Sequence, residues 1–192
     1  MPSIASPYGL IPVNHPSGVI RPFAMTIVTG YTSNIFQNSP VKIGPSSTYE
    51  GTIVVATAGD TDGFIGTFQG VEFTDSDGRR RVSNKWTASQ AGTDIVAYVT
   101  LDSTITYQIQ SNAALVVADI GKQYDYSAAA GNTTTGLSSQ SLNVASVVTD
   151  SGTAQLRLIG IVAGPDNNWG DTYVNALVQI VEHQNVAVKN AY

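Results

Sequence analysis

Between Thr104 and Gln110 apolar and polar side chains alternate strictly, with Ile105, Tyr107 and Ile109 on one side and Thr104, Thr106, Gln108 and Gln110 on the other. A pleated strand points successive side chains to opposite faces, so this run predicts a strand with one apolar and one water-facing side. Short apolar runs bounded by turn residues recur from Ala24 onward. They predict further strands at Ala24–Thr29, Thr52–Thr57, Phe64–Phe73, Arg80–Trp86, Ile95–Leu101, Ser141–Val148, Gln155–Ala163 and Thr172–His183. In the last of these Val174, Ala176, Val178 and Ile180 share one face while Leu177 and Val181 occupy the other. That strand is expected to be buried on both sides or covered by a partner.

Turn residues divide these runs. Asp77-Gly78, between Val71–Thr74 and Arg79–Val82, predicts a hairpin whose glycine takes the positive φ of the turn. Gly66 and Gly70 inside the preceding run predict bulges or a close backbone approach. Asn112 ahead of Ala113–Ala118, with Gly121 after it, predicts one short helix, and Ser127 to Ser141 reads as a long exposed loop. The fold class is all-β, an antiparallel sandwich or barrel with at most one short helix.

The first 23 residues differ from the rest. Met1 to Phe23 holds five of the eight prolines, and each removes a backbone donor and biases its predecessor to extended geometry. The segment reads as an extended arm on a single all-β domain spanning residues 24–192. It is also apolar, through Ile4, Tyr8, Leu10, Ile11, Val13, Val19, Ile20 and Phe23, so it is expected to lie along something. Two placements follow: along a neighbouring chain, or across its own domain. On the first, deleting Met1 to Phe23 weakens assembly far more than the fold. Ile4, Tyr8, Leu10, Ile11, Val13, Ile20 and Phe23 are the candidate contact residues.

Composition sharpens the class. The 192 residues are 42% apolar and only 12% charged, enough for one sizeable core. Only Glu50, Glu72 and Glu182 are glutamates and only Lys42, Lys85, Lys122 and Lys189 are lysines, which argues against a helical bundle. A net charge of −5 supplies no basic field for nucleic acid or an anionic membrane, and both partners are disfavoured. No apolar run reaches the length of a membrane span, and the N-terminus lacks a signal-peptide pattern. With no cysteine the chain has no disulfide or thiolate chemistry.

Little in the sequence carries catalysis. The two histidines, His15 and His183, lack acidic or histidine neighbours at ligand spacing, and Glu182 beside His183 points to the opposite strand face. Asp60-Thr61-Asp62-Gly63 and Asp75-Ser76-Asp77-Gly78 lack the further ligands of a calcium loop and read as turns. Asn132-Thr133-Thr134 matches a glycosylation sequon without a secretory context. Arg79-Arg80-Arg81 alternates across a strand near Glu72, Asp75 and Asp77 and is expected to form a local salt-bridge cluster. A subunit contact through Arg79 and Arg81 is the second reading. No cofactor or metal is implied. Two other functions stay open: glycan binding through exposed Trp86, Trp169 and tyrosines, and hydrolysis by paired carboxylates among Asp94, Asp102, Asp119 and Asp125. Trp169, between Asn167-Asn168 and Gly170-Asp171, is either an exposed contact or a core anchor.

Two stretches resemble a known class. Phe64-Ile-Gly-Thr-Phe-Gln-Gly-Val-Glu-Phe-Thr-Asp-Ser-Asp-Gly-Arg-Arg-Arg-Val-Ser-Asn-Lys-Trp86 is the first. The second is Ala118-Asp-Ile-Gly-Lys-Gln-Tyr124 with Gly131-Asn-Thr-Thr-Thr-Gly136 and Leu156-Arg-Leu-Ile-Gly-Ile161. Together with the N-terminal arm they resemble structural proteins of tailed bacteriophages that sit on or reinforce the capsid. The resemblance covers residues 64–183 discontinuously and is a pattern of strands and turns. It implies a decoration or cement protein on the capsid exterior of the virion, made in the host cytoplasm. Such a protein is non-enzymatic, self-associates as a homodimer or homotrimer and clamps junctions between subunits of the major capsid protein. A tail or fibre component that binds a host glycan is the alternative.

Overall fold

A computed structural model describes residues 4–44, 48–148 and 153–186. They form short strands: β1 (Ile11–Asn14), β2 (Phe23–Met25), β3 (Ile35–Phe36), β4 (Pro40–Ile43), β5 (Ile53–Val55), β6 (Gly66–Thr74) and β7 (Arg80–Ser83). β8 (Lys85–Trp86), β9 (Thr93–Val99), β10 (Thr106–Gln110), β11 (Gln123–Tyr124), β12 (Leu156–Ile161) and β13 (Asn175–Ile180) follow. One antiparallel sheet has the order β1-β10-β13-β12-β11. The second has the order β2-β9-β6-β4-β5, with β7 paired to the far half of β6, and β3 pairs β8 separately. The all-β, sandwich-like architecture matches the pattern of alternation and turns. The second sheet also curls until its edges touch, since Ile53 N donates to Thr26 O at 2.9 Å, one residue beyond β2.

Each sheet carries its own apolar cluster. The first gathers Leu10, Phe64, Ile105, Tyr107, Ile109, Tyr124, Tyr126, Leu156, Leu158, Val174, Ala176 and Val178 with their neighbours. The second gathers Ile27, Ile35, Val41, Ile53, Ile65, Phe68, Val71, Phe73, Trp86, Ala97 and Val99. Buried hydroxyls join them: Thr100 Oγ1 lies 2.9 Å from Thr67 Oγ1 and 3.0 Å from Tyr107 Oη, and accepts from Thr67 N at 3.0 Å. Thr100→Val strands that N–H, and its expected cost is about 1–3 kcal/mol in urea unfolding. An unchanged midpoint would show that the hydroxyl bridge is dispensable.

Several sequence expectations hold in detail. The Asp77-Gly78 turn joins β6 to β7, with Asp75 N on Arg79 O at 2.9 Å and Gly78 at φ 77°. The β6–β9 register shifts between Phe68 and Gly70, the expected bulge. β13 is central in its sheet, with Ala176, Val178 and Ile180 buried and the intervening residues half-buried.

Other expectations are corrected. No helix forms at Ala113–Ala118; a single 3-10 turn spans Val117–Asp119, because Asp119 Oδ2 takes Val116 N at 2.8 Å and β-branched Val116 and Val117 disfavour a helical continuation. Ser141–Val148 is not a strand. Asn112 Oδ1 accepts from Val144 N and Ser146 Oγ donates to Asn143 O, so side chains replace the ladder around a 3-10 turn at Val144–Ser146. The loop from Ser127 to Ser141 is partly packed, with Ser138 and Gln140 buried.

The arm takes the placement on its own domain between Tyr8 and Asn14. β1 pairs β10, and Leu10 is fully buried in the first cluster. Gly9 N donates to Gln140 O and Leu10 N to Asn38 O, both at 3.0 Å. Gly9 sits at φ 78°, where an added Cβ would come within 2.4 Å of Asn38 O, so this passage needs glycine. Leu10, a candidate contact residue, is therefore core and has no surface to offer.

Candidate interaction surface

The polar face of β10, expected to be wet, is where the first residues are fastened. Gln110 Oε1 accepts from Ser6 N at 2.7 Å and its Nε2 donates to Ile4 O at 3.0 Å. Gln108 Nε2 donates to Tyr8 Oη at 2.7 Å, and Tyr8 Oη donates to Asn175 Oδ1 at 2.9 Å. Burial pushes the Tyr8 phenol upward, against the Gln108 bond, so it stays a neutral donor. Gln108, Gln110 and Asn175 escaped the sequence reading. Their signal is a run of amide side chains on the outward face of two adjacent strands, richer in donors and acceptors than a merely solvated face requires.

Beyond β1 the chain turns at His15–Gly18 and is tied to the β9–β10 connection. His15 Nε2 lies 3.0 Å from Asp102 Oδ2, and His15 Nδ1 lies 3.1 Å from Ser17 N and 2.6 Å from Ser17 Oγ. Because Ser17 N can only donate, Nδ1 is the acceptor and the ring proton sits on Nε2, directed at Asp102. Thr104 Oγ1 and N donate to Asp102 Oδ1 at 2.6 and 2.8 Å. The Thr104 bonds, with His15 behind them, hold the Asp102 carboxyl at about 2 instead of 3.8. Asp102 therefore stabilises the fold above pH 3.8 and loses that contribution as pH falls through about 2. Serine, histidine and aspartate stand in line here, and Gly18 N donates to His15 O at 2.8 Å, closing the turn that carries them. The contacts order a turn.

Fastened in this way, the segment presents apolar side chains outward. Ile4 is 80% exposed, Val13 42%, Val19 53% and Phe23 54%. Ile11 is half-buried on β1, and Ile20 packs against the first cluster. Between them His15, Ser17, Val19, Ile20, Arg21, Phe23, Asp102 and Ile105 enclose an open cavity of about 450 Å³.

The remaining candidates lie elsewhere. Arg79 pairs with Asp77 at 3.7 Å, Arg80 with Glu72 at 3.3 Å, and Arg81 with Asp75 and Asp77 at 3.4 and 3.2 Å, the local cluster that the sequence suggests. Trp169 is half-buried and packs on the first cluster as a core anchor. Trp86 is fully buried, edge-on to Phe73 with ring centroids 5.4 Å apart, so it cannot serve as an exposed sugar platform. His183 is buried, with Nε2 3.0 Å from Leu101 O, and burial lowers its pKa.

The four carboxylates considered for hydrolysis each have separate partners. Asp94 accepts from Thr74, Asp102 holds His15, Asp119 holds Lys122 at 2.8 Å, and Asp125 accepts from Gln155 N at 3.3 Å. Asp60 and Asp62 both take Lys42 Nζ, at 2.7 and 3.2 Å. Among the described residues no group of three or more acids or histidines is placed to hold a metal ion.

A second acidic grouping has a pH consequence. Burial raises the pKa of Glu182, and Asp125 and Asp60 add to the shift against a Thr153 hydrogen bond. Burial also raises Asp125. A carboxyl with a raised folded-state pKa binds its proton more tightly when folded, so ionising it costs stability at neutral pH. Glu182→Gln keeps the hydrogen-bonding shape without the charge, and its expected effect is a higher melting temperature at pH 7. That gain vanishes below the ordinary value of 4.5, where both states are protonated. A gain that persists at pH 3 would contradict this cause.

Compared with family models, curated proteins and solved structures, the chain has no match in any of the three.

Proposed function

We propose that this chain is a non-enzymatic capsid decoration protein of a tailed bacteriophage, binding the outside of the shell across junctions between major capsid protein subunits. The observation that carries the reading is the tethered apolar strip of Ile4, Val13, Val19 and Phe23. Apolar side chains on a loose tail would lose much of their binding energy to ordering the tail. Here the backbone is already fixed by β10 and by Gln108, Gln110 and Asp102, so burial of the strip goes largely into affinity. Burying a large apolar side chain stabilises by roughly 1.5–3 kcal/mol, and many copies act on one shell.

The mode of contact differs from strand exchange. β1 pairs β10 along one side only, and Pro12 in this edge strand has no N–H, which interrupts any ladder to a further chain. Contact therefore runs through side chains. Self-association, as a dimer or a trimer, belongs to the same proposal. Val116, Val117 and Ile120, exposed beside the opposite edge of the sheet, supply apolar surface for it. Asp94, Asp102 and Asp119, three of the four carboxylates considered for hydrolysis, are each engaged by a separate local partner, which supports binding over turnover.

Incubation with undecorated capsids tests the proposal. Stoichiometric binding and greater heat resistance of the shell are expected, and Phe23→Asp or Val19→Asp lowers occupancy at least tenfold with little change in the melt of the free protein. Failure of the unaltered protein to bind capsids overturns the reading.

A further inference from the structure

The cavity beside His15 is open to solvent and combines the apolar side chains of Val19, Ile20, Phe23 and Ile105 with the charged side chains of Arg21 and Asp102. We propose that it is a socket for a large apolar side chain of a partner protein segment whose neighbouring residue is acidic, with Arg21 as the anion contact. The inference rests on the reading of residues 4–23 as the partner-binding surface and names the chemistry which that surface selects.

Size and lining fit such a guest. A volume of about 450 Å³ accommodates one aromatic or aliphatic side chain with the adjoining backbone. Its base is Ile105, fully buried in the first cluster, and Ile20 packs on the same cluster, so the walls are set before a guest arrives. Val19 and Phe23 form an apolar rim, more than half exposed. The turn that carries the rim is held through both ring nitrogens of His15.

Charge decides what accompanies the apolar group. Asp102 lines the cavity as a carboxylate, with Oδ2 engaged by His15 and Oδ1 by two Thr104 donors, so its oxygens are committed while Arg21 keeps its donors free for a guest. His15 directs its one ring proton at Asp102, and Ser17 is engaged with His15. Arg21 differs from Arg79, Arg80 and Arg81, each of which has a carboxylate within 4 Å. It makes no ion pair with any described acid. Although the chain as a whole is acidic, an uncommitted guanidinium beside an apolar rim offers a carboxylate two parallel hydrogen bonds and offers a lysine none.

Capped dipeptides test the socket directly. Acetyl-Phe-Asp-amide, acetyl-Phe-Asn-amide and acetyl-Phe-Lys-amide are titrated into the isotope-labelled full chain and followed by amide NMR. Shifts confined to Val19, Ile20, Arg21, Phe23 and Ile105 are expected, with the Asp peptide at least fivefold tighter than the Asn peptide and the Lys peptide weakest. Arg21→Gln removes the preference for Asp, and Arg21→Lys restores part of it. Equal binding of the three peptides, or no shift around the cavity, overturns the socket. Capsid binding separates the two claims. If the unaltered protein binds shells and Arg21→Gln binds them equally well, the socket fails and the decoration reading stands. If the peptides discriminate but shells are not bound, the reverse holds.

Discussion

Gly66→Ala abolishes the cooperative fold or weakens it by at least about 4 kcal/mol, at the far end of what single substitutions do. Gly66 opens β6, opposite Val41 of β4, with φ at 154°. A Cβ built there falls 1.4 Å from Thr100 O and 2.7 Å from Thr100 C. The obstacle is backbone, so no rotamer change relieves it. Separating the strands by about 2 Å to regain van der Waals contact would break Thr100 N to Thr67 O, at 3.0 Å, and the hydroxyl bridge to Tyr107. It would also pull apart Phe68 and Val99, partners in the β6–β9 register and members of one close-packed cluster. Gly160→Ala in β12 is the control, with nothing within 4 Å of the added methyl, and stays within about 0.5 kcal/mol of the parent. Urea unfolding followed by the fluorescence of Trp86 and Trp169 reads both. A folded Gly66→Ala protein with a near-parental midpoint would show that the approach of Thr100 is not rigid.

Gly66 illustrates what local pattern reveals. A glycine amid Phe64, Ile65 and Phe68 signals close approach because strands otherwise exclude it, and the approaching backbone is there. The β10 alternation, the Asp77-Gly78 hairpin and the arginine cluster were legible for the same reason: their causes lie within a few residues. Strands β1, β3, β4 and β11 were not, since runs of two to four residues that include Pro12 and Pro40 carry no period to count. Ser141–Val148 misled because its apolar spacing is strand-like while Asn112, Asn143 and Ser146 claim the backbone. The candidate surface was half legible. Apolar residues in the arm drew attention to this segment, but His15 meets Asp102 across 87 positions and Gln110 meets Ile4 across 106. Such pairings come from topology, and no spacing rule finds them. That is also why Leu10 and Val13 looked alike, though one is core and the other faces water.

This division within one segment sets up the other large effect. Removing residues 1–14 is expected to unfold the protein at ordinary temperature, and Leu10→Ala alone to cost about 2–5 kcal/mol. Leu10 is fully buried among Tyr107, Ile109, Val178 and the rest of the first cluster, and its loss leaves a cavity that rigid sheet neighbours cannot fill. Truncation adds the β1–β10 ladder, the Tyr8 bonds to Gln108 and Asn175, and the contacts of Gly9 and Leu10 with Gln140 and Asn38. The sequence leaves two placements of the arm open, and a domain that survives truncation belongs to the one along a neighbouring chain; residues 8–14 take the other, where they supply an edge strand and part of the core. Ile4→Ala, at an 80% exposed position, shifts the melt by no more than about 0.5 kcal/mol. The paired outcomes separate folding from binding along the same stretch. If the proposed capsid binding holds, Leu10→Ala below its melting point is expected to bind shells, because Val19 and Phe23 are intact, whereas Phe23→Asp is expected to melt near the parent and lose occupancy. A truncated chain with a parental melt would return residues 4–14 to the status of a detachable arm and remove the premise of a pre-ordered apolar strip.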